Sequence, residues 1–310
     1  ADPTPEPTPE PIPEPAPEPI PEPIPDEGVT HLGTDGDDLF RVHSTRDTIE
    51  NAGTGTDTVE TTVNFTLRRH SDGDDLDNLV LAGDADLVGV GNSADNVLTG
   101  NTGDNHLSGV WGDDTVFGGS GDDTIKGVNG DDWLFGNQGQ DEISGGKGHD
   151  TLIGGGGDDQ LMGDAGDDLL SGEGGNDILT GGEGADRFVV LTDNDGLDVI
   201  RDFTLGEDVL DLSFSGARSA ADLVVEVQDD RVLIREPGGS GVALLDFDSS
   251  DVEMLTDTGT IFSGQGGAAQ DPAYVTATAY DYPGDEFLSD PVAYDTAPGG
   301  GPADGVLSGW

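Results

Sequence analysis

From Gly91 to Val189 the chain repeats itself every nine residues, eleven times without a gap. The units are GNSADNVLT, GNTGDNHLS, GVWGDDTVF, GGSGDDTIK, GVNGDDWLF, GNQGQDEIS, GGKGHDTLI, GGGGDDQLM, GDAGDDLLS, GEGGNDILT and GGEGADRFV. Position 1 is always glycine, position 4 is glycine in every unit but the first, where Ala94 stands, and position 8 is always apolar, from Leu98 to Phe188. Position 6 is asparagine in the first two units (Asn96, Asn105) and aspartate in the other nine. A period so short and regular restricts the chain to a stacked architecture in which each unit buries its apolar residue against its neighbours.

The spacing dictates what each unit does. Glycines at positions 1 and 4 allow positive φ and close backbone approach where a Cβ would clash, so positions 1 to 6 predict a turn. The last three positions set one apolar side chain between two mostly polar ones, the period-two pattern of a short strand with one buried face. Two units, or 18 residues, then predict one coil with a strand on each side. Stacking such coils at roughly 4.8 Å places strand beside strand and turn above turn, and the position 8 side chains become a thin continuous core.

Stacking also gathers the position 6 aspartates of turns two units apart, a strongly repulsive arrangement unless a cation lies between them. Calcium suits the gap because it takes about 6 to 8 oxygen ligands, which aspartates and the carbonyls of glycine-rich turns can supply. Magnesium, which keeps its water and demands an octahedron, suits it less. The candidate metal ligands are Asp114, Asp123, Asp132, Asp141, Asp150, Asp159, Asp168, Asp177 and Asp186. Pairing each with the one 18 residues later gives seven pairs, from Asp114 with Asp132 to Asp168 with Asp186. About seven calcium ions would nearly cancel the charge of the block's 20 acids and 3 bases.

Composition makes the same demand. With 65 acidic against 11 basic residues, a formal charge of -54 and 33% hydrophobic residues, the bare chain is expected to be disordered. Nucleic acid and anionic membranes are excluded as primary partners, since both need a basic patch. No run of 18 apolar residues exists to span a bilayer. The absence of cysteine excludes disulfides, thiolate metal sites and cysteine nucleophiles.

The units match GGxGxDxUx (U apolar), and on that motif the chain resembles the repeat-in-toxin (RTX) family of secreted bacterial calcium-binding proteins, over about a third of its length. The resemblance implies an all-β fold, a right-handed parallel β-roll (β-solenoid) with calcium between its turns. It also implies export by a type I secretion machinery, an extracellular or cell-surface location, and a chain that folds only on meeting extracellular calcium.

The flanks extend this picture. Residues 1–27 alternate proline with acids and predict a disordered, extended linker without the n-region or h-region of a signal peptide. Residues 28–90 open on a lone unit, GTDGDDLFR at 33–41, and continue with looser strand-and-turn spacing. They resemble the degenerate segment preceding RTX repeats and predict the first coils of the roll, with Val59, Val63, Phe65 and Leu67 inward. There Asp38, Asp47 and Asp57 are either calcium ligands or turn residues. Residues 190–263 begin DVIRDFTLGEDVLDLSFSG after a short link and resemble the cap of serralysin-type proteins. DLVVEV, RVLIRE and VALLDF predict antiparallel strands closing it. Asp202, Asp208 and Asp211 are candidates for one further ion, against plain turn and solvation roles. Residues 264–310 predict a disordered tail, where an uncleaved type I secretion signal would lie by the same resemblance; the closing DGVLSGW is similar to the serralysin-type ending.

No catalytic constellation stands out. The five histidines, His31, His43, His70, His106 and His149, are scattered and begin no HExxH pair. There is no GxSxG elbow or phosphate loop. Acid pairs such as Asp113 with Asp114 arise from the repeat, position 5 being expected to face solvent. Trp111 and Trp133 are exposed aromatics by default, with a sugar-stacking surface as the alternative. The expected function is that of a non-enzymatic, secreted calcium-binding β-roll. The rival expectations are a calcium-binding and export module of a larger extracellular protease, lipase or alginate epimerase, and a calcium-dependent adhesin or surface-layer component that binds polysaccharide or cells.

Overall fold

In a computed structural model of the chain the described residues are 28–67, 76–190, 196–211, 224–228, 231–235, 241–245 and 261–262. All of them lie in the first of the chain's two units, residues 1–265. The linker expected at 1–27, the tail expected at 264–310 and its secretion signal fall outside this set.

Alternate strands feed alternate sheets. One sheet runs through Leu39–Val42, Thr58–Thr61, Asn78–Leu81, Val97–Thr99, Thr115–Ser120, Trp133–Gln138, Thr151–Gly156, Leu169–Gly174, Arg187–Val189, Val209–Asp211 and Ile261–Phe262, all parallel. The other begins at Phe65–Thr66 and Val88–Val90, climbs in parallel through His106–Ser108, Thr124–Asn129, Glu142–Lys147, Gln160–Ala165 and Ile178–Glu183 to Leu197–Ile200, and ends in three further strands. Those three, Val224–Gln228, Arg231–Arg235 and Gly241–Leu245, pair antiparallel, and the last lies parallel beside Leu197–Ile200. This is a parallel β-solenoid. Among the described residues there is no helix, and none that could cross a membrane.

Register follows the repeat. Within the nonapeptides each position 8 residue pairs with the one 18 positions on: Leu98, Val116, Leu134, Leu152, Leu170 and Phe188 in one sheet, Leu107, Ile125, Ile143, Leu161 and Leu179 in the other. All eleven side chains are at most 2% exposed, and they form one continuous core. That core extends below the repeats through Phe40, Val59 and Leu79, where the strands pair at longer intervals, and above them through Ile200 and Leu210. Val59 and Leu67 are fully inside, while Val63 and Phe65 pack against the core partly buried.

Two local features differ from the spacing argument. From Thr115 to Glu183 each strand has six residues rather than three, because it continues into positions 1 to 3 of the next unit. The pairing jumps the position 1 glycine, as in Phe117 with Phe135 followed by Gly119 with Asn137. The glycines also divide their labour. From the third unit on, position 4 takes positive φ, from 107° at Gly112 to 150° at Gly166, whereas position 1 is needed for close approach. Positive φ appears as well at position 2, where glycine is not required by the sequence: Val110 at 94°, Val128 at 91°, Asn137 and Asp164 at 75°, and Glu173 at 65°.

Candidate metal centre

The position 6 aspartates form a ladder through the turns. The N–H of Asp114 donates to Oδ1 of Asp132 at 2.8 Å, Asp132 to Asp150 at 2.8 Å, and Asp150 to Asp168 at 2.8 Å. On the opposite edge Asp123 donates to Asp141 at 2.7 Å, Asp141 to Asp159 and Asp159 to Asp177 at 2.8 Å. Each Oδ1 is therefore satisfied by the coil below. The other oxygen is not. Oδ2 of Asp114, Asp123, Asp132, Asp141, Asp150, Asp159, Asp168 and Asp177 is buried without a hydrogen-bond partner, in residues at most 2% exposed.

Asparagine at the same position behaves differently. Asn96 and Asn105 donate their N–H to Asp114 and Asp123 at 2.7 Å, as ladder members do. Yet their side chains are complete: Oδ1 accepts the N–H of Asn92 or Asn101 four residues back, and Nδ2 donates to Asp77 O or Asn101 Oδ1. The molecule thus contains its own control, neutral rungs with every polar atom paired and charged rungs with one oxygen left over.

Position 2 decides between the two. Where its residue is not left-handed, its N–H closes onto the side-chain oxygen four residues on: Thr34 onto Asp38, His43 onto Asp47, Asn92 onto Asn96, Asn101 onto Asn105 and Thr204 onto Asp208. Where position 2 is left-handed, no such bond forms. Every unpartnered aspartate oxygen lies on a turn of this open kind, with Val110, Gly119, Val128, Asn137, Gly146, Gly155, Asp164 or Glu173 at position 2 of the repeat units. Left-handed backbone costs about 1 to 2 kcal/mol in a residue bearing a Cβ, so Val110, Val128 and Glu173 hold their turns open against local preference. Strain of that kind is characteristic of functional positions.

The freed oxygen does not stand alone. At Gly118 the place a Cβ would take is flanked by Oδ2 of Asp123 and the carbonyl of Gly136, and at Gly154 by Oδ2 of Asp159 and the carbonyl of Gly172. Glycine at position 1 keeps carboxylate and carbonyl oxygens side by side, the donor set a hard cation takes. Among the described residues no three His, Cys, Asp or Glu side chains form a metal cluster. An ion held here would thus draw on main-chain carbonyls as well as aspartates.

Electrostatics give the same reading. Burial pushes the carboxyls of Asp114, Asp123, Asp150 and Asp159 up to about 7 and those of Asp132, Asp141, Asp168 and Asp186 up to about 6, against an ordinary 3.8. The N–H from the coil below lowers each, and neighbouring aspartates raise most of them further. Ionising one such group without a counterion costs about 3 to 4 kcal/mol. Several together exceed the roughly 5 to 15 kcal/mol that holds a domain folded.

Two aspartates off the nine-residue interval extend the ladder. The N–H of Asp177 donates to Oδ1 of Asp198 at 3.1 Å and that of Asp186 to Asp208 at 3.0 Å, extending both edges of the ladder into the cap. Burial raises Asp198 and Asp208 as well. Their intervals are 21 and 22 residues, which hides them from a search at 18. The surviving signal is the tripeptide of aspartate, any residue and an apolar one, present as Asp198-Val199-Ile200 and Asp208-Val209-Leu210.

The remaining candidates separate cleanly. Asp202, Asp208 and Asp211 form no cluster of three side chains able to hold a metal ion: Asp202 accepts from Gly181 and Gly182, Asp208 from Asp186 and Thr204, and Asp211 pairs with Arg187. Asp47 accepts three backbone N–H groups, from Val29, His43 and Ser44, which hold its carboxyl below the ordinary value. Position 5 is exposed but not idle. Asp113 and Asp122, for example, accept the N–H of Asp131 and Gln140 one coil on, and His149 does so for Asp167 through Nδ1. Trp111 is 58% exposed, while Trp133 is half-buried beside Phe135, which stacks on Phe117 at 5.0 Å.

The family model of the RTX calcium-binding nonapeptide repeat matches four times, over residues 90–125, 126–161, 153–188 and 162–197. Among solved structures, the AlgE6R3 subunit of the Azotobacter vinelandii mannuronan C5-epimerase is 33% identical, with a TM-score of 0.33, covering 53% of this chain and 92% of its own. The extracellular lipase LipA from Serratia marcescens is 15% identical, with a TM-score of 0.25. That match covers 67% of this chain and 45% of the lipase, so the chain spans under half of it. No curated protein sequence matches.

Proposed function

Since the chain belongs to the RTX calcium-binding repeat family through residues 90–197, we propose that it is a secreted calcium-binding β-roll whose folding is driven by extracellular calcium. The observation that carries this is the contrast between open and closed turns: buried, unpartnered carboxylate oxygens where position 6 is aspartate, and complete hydrogen bonding where it is asparagine. Asp114, Asp123, Asp132, Asp141, Asp150, Asp159, Asp168, Asp177 and Asp186 would hold about seven ions in the main block, with position 1 carbonyls completing their shells. Asp198 would continue the row into the cap.

Calcium supplies the positive charge that makes burial of these carboxylates favourable. Because the sites do not exist in the unfolded chain, binding free energy becomes folding free energy. The same logic makes the chain soluble and unfolded where calcium is scarce, which suits passage through a type I secretion channel. Its role is structural rather than catalytic. Residues 264–310 are where we place the export signal.

The test has two arms. The hydrodynamic radius of the full chain should contract on addition of 2 mM calcium and expand again with excess chelator; an unchanged radius would refute calcium-driven folding. Co-expression with a type I exporter should deliver the full chain, but not one lacking residues 264–310, to the medium. Equal export of both would remove the signal from the tail. A reading frame continuing upstream of Ala1 into a protease, lipase or epimerase would instead make this roll the calcium-binding and export module of that enzyme. Calcium-dependent binding to polysaccharide or cells would make it an adhesin.

A further inference from the structure

The repeat builds one reactive dipeptide into the array. Position 4 requires glycine: at Gly130, with φ 130°, the carbonyl oxygen of Gly112 fills the place a Cβ would take. Position 3 carries no such demand and holds Trp111, Ser120, Gln138 and Lys147 in neighbouring units. In the fifth unit, GVNGDDWLF, it holds Asn129, which makes Asn129 with Gly130 the one Asn-Gly dipeptide in the 310 residues. Such a pair modifies itself in a loose chain, because glycine offers an unshielded main-chain nitrogen and the freedom to turn it back on the preceding side chain. The stacked coils withhold both partners. The N–H of Gly130 donates to the carbonyl of Lys147 in the coil above at 2.9 Å, and Nδ2 of Asn129 donates to the carbonyl of Val110 in the coil below at 3.2 Å. The Asn129 carbonyl accepts the N–H of Gly112 at 3.1 Å, and Asn129 pairs in register with Lys147.

We propose that Asn129 and Gly130 form a self-modification site, a spontaneous deamidation that folding of the roll suppresses. In the open chain the nitrogen of Gly130 bonds to Cγ of Asn129, the Cγ–Nδ2 bond breaks, and ammonia leaves. Water then opens the cyclic imide at either carbonyl to give aspartate or isoaspartate. The balance is one water taken up for one ammonia released, with no oxidant or reductant. In isoaspartate the main chain runs through the side-chain carbon and is longer by one atom. That displaces Asp131 and Asp132 from the 18-residue register in which their N–H groups donate to Asp113 at 2.9 Å and Asp150 at 2.8 Å. A chain modified before it folds therefore closes its roll around a faulty coil at 127–135. The reactivity follows from the dipeptide; its suppression by calcium rests on the calcium-driven folding proposed above.

The experiment incubates the full chain at pH 8 with calcium, with excess chelator, or in guanidinium chloride. Peptide mass mapping reads amide loss at each asparagine, and far-UV circular dichroism reads the fold of the calcium and chelator samples. In guanidinium Asn129 should convert faster than Asn137 or Asn176. With calcium it should convert at least about tenfold more slowly than in guanidinium, since only the open fraction reacts. The chelator sample should match guanidinium. Asn129→Gln, which copies Gln138 before Gly139 in the next unit, should abolish the conversion and keep its calcium midpoint after incubation in chelator, whereas the wild-type midpoint should rise. A guanidinium rate at Asn129 no higher than at Asn137 would overturn the site, and equal rates in calcium and guanidinium would overturn its suppression by folding. A β-rich spectrum in chelator with Asn129 intact would instead reject calcium-driven folding alone, because the contrast between guanidinium and the folded chain still decides the site.

Discussion

Asp150 is the most informative single position in the array, because it joins two neighbouring rungs. Its Oδ1 accepts from Asp132, its own N–H donates to Asp168, and its Oδ2 is buried and unpartnered. Asp150→Asn keeps the shape and the Oδ1 acceptor while removing the charge. With calcium, it withdraws a charged ligand from two sites, a loss on the order of 3 to 5 kcal/mol by analogy with broken buried ion pairs. Folding free energy varies as nRT ln of the calcium concentration for n ions taken up together. With about six ions coupled, the midpoint should then rise about two- to fourfold, and the transition should become shallower. Without calcium the sign reverses. A carboxyl held at about 7 rather than 3.8 costs about 4 kcal/mol to ionise above pH 7, and asparagine removes that cost. Asp150→Ala also strands the buried N–H of Asp132 and should be worse by a further ~1 to 3 kcal/mol. The control is Asp158→Ala, at exposed position 5, which loses only a surface contact with Asn176. Calcium titrations followed by circular dichroism read all four proteins. Equal midpoints for Asp150→Asn and Asp158→Ala would refute the assignment of position 6 as the ligand row.

Other perturbations probe separate parts of the mechanism. The folded-state values near 6 to 7 lie above the ordinary 3.8, so the calcium-free roll is most stable below about pH 4 and loses stability as pH rises through 6 to 7. Chelated protein should therefore gain β signal on acidification from pH 7.5 to 5, and proton competition should raise the calcium midpoint over the same range; a pH-independent midpoint would contradict this. Asn105→Asp places a carboxylate opposite Asp123, but the N–H of Asn101 still closes that turn onto position 6. Dialysis should then show no additional bound ion; one more ion would mean that position 6 alone, and not the open turn, makes a site. Gly166→Ala would drive a Cβ into the carbonyl of Gly148 at φ 150°, so calcium-loaded protein should lose at least ~2 kcal/mol in urea unfolding. Val128→Gly, which relieves left-handed strain without closing the turn, should instead lower the calcium midpoint.

Much of this molecule can be read from its sequence because the repeat imposes one local rule eleven times. Position 8 names the core residues, and position 6 names the ladder, since neither depends on anything beyond the nine-residue interval. Position 2 is opaque for a physical reason. Asparagine favours left-handed backbone and valine opposes it, yet Asn92 and Asn101 are not left-handed whereas Val110 and Val128 are. The asparagines are held by their own side chains, which donate to Leu76 O and Ala85 O and accept from Ala94 and Gly103. Val128 is held by the neighbouring coil, where it pairs with Gly146. Local propensity therefore points the wrong way at the residues that decide whether a turn is open. Asp198 is hidden differently, by a longer link that shifts it to an interval of 21 residues, whereas Asp208, at 22, is named as a candidate by the sequence of the cap alone. Asp57 falls between the two cases: its sequence context allows a turn or a ligand, and its buried, unpartnered Oδ2 is visible only in the structure.

If calcium rather than the apolar core decides whether this chain folds, a titration of the full chain from excess chelator to 10 mM calcium at pH 7.5, followed by far-UV circular dichroism, will show it. Calcium-driven folding predicts a coil spectrum in chelator and a cooperative rise of β signal with a midpoint of roughly 0.1 to 1 mM. A β-rich spectrum that persists in excess chelator would contradict it.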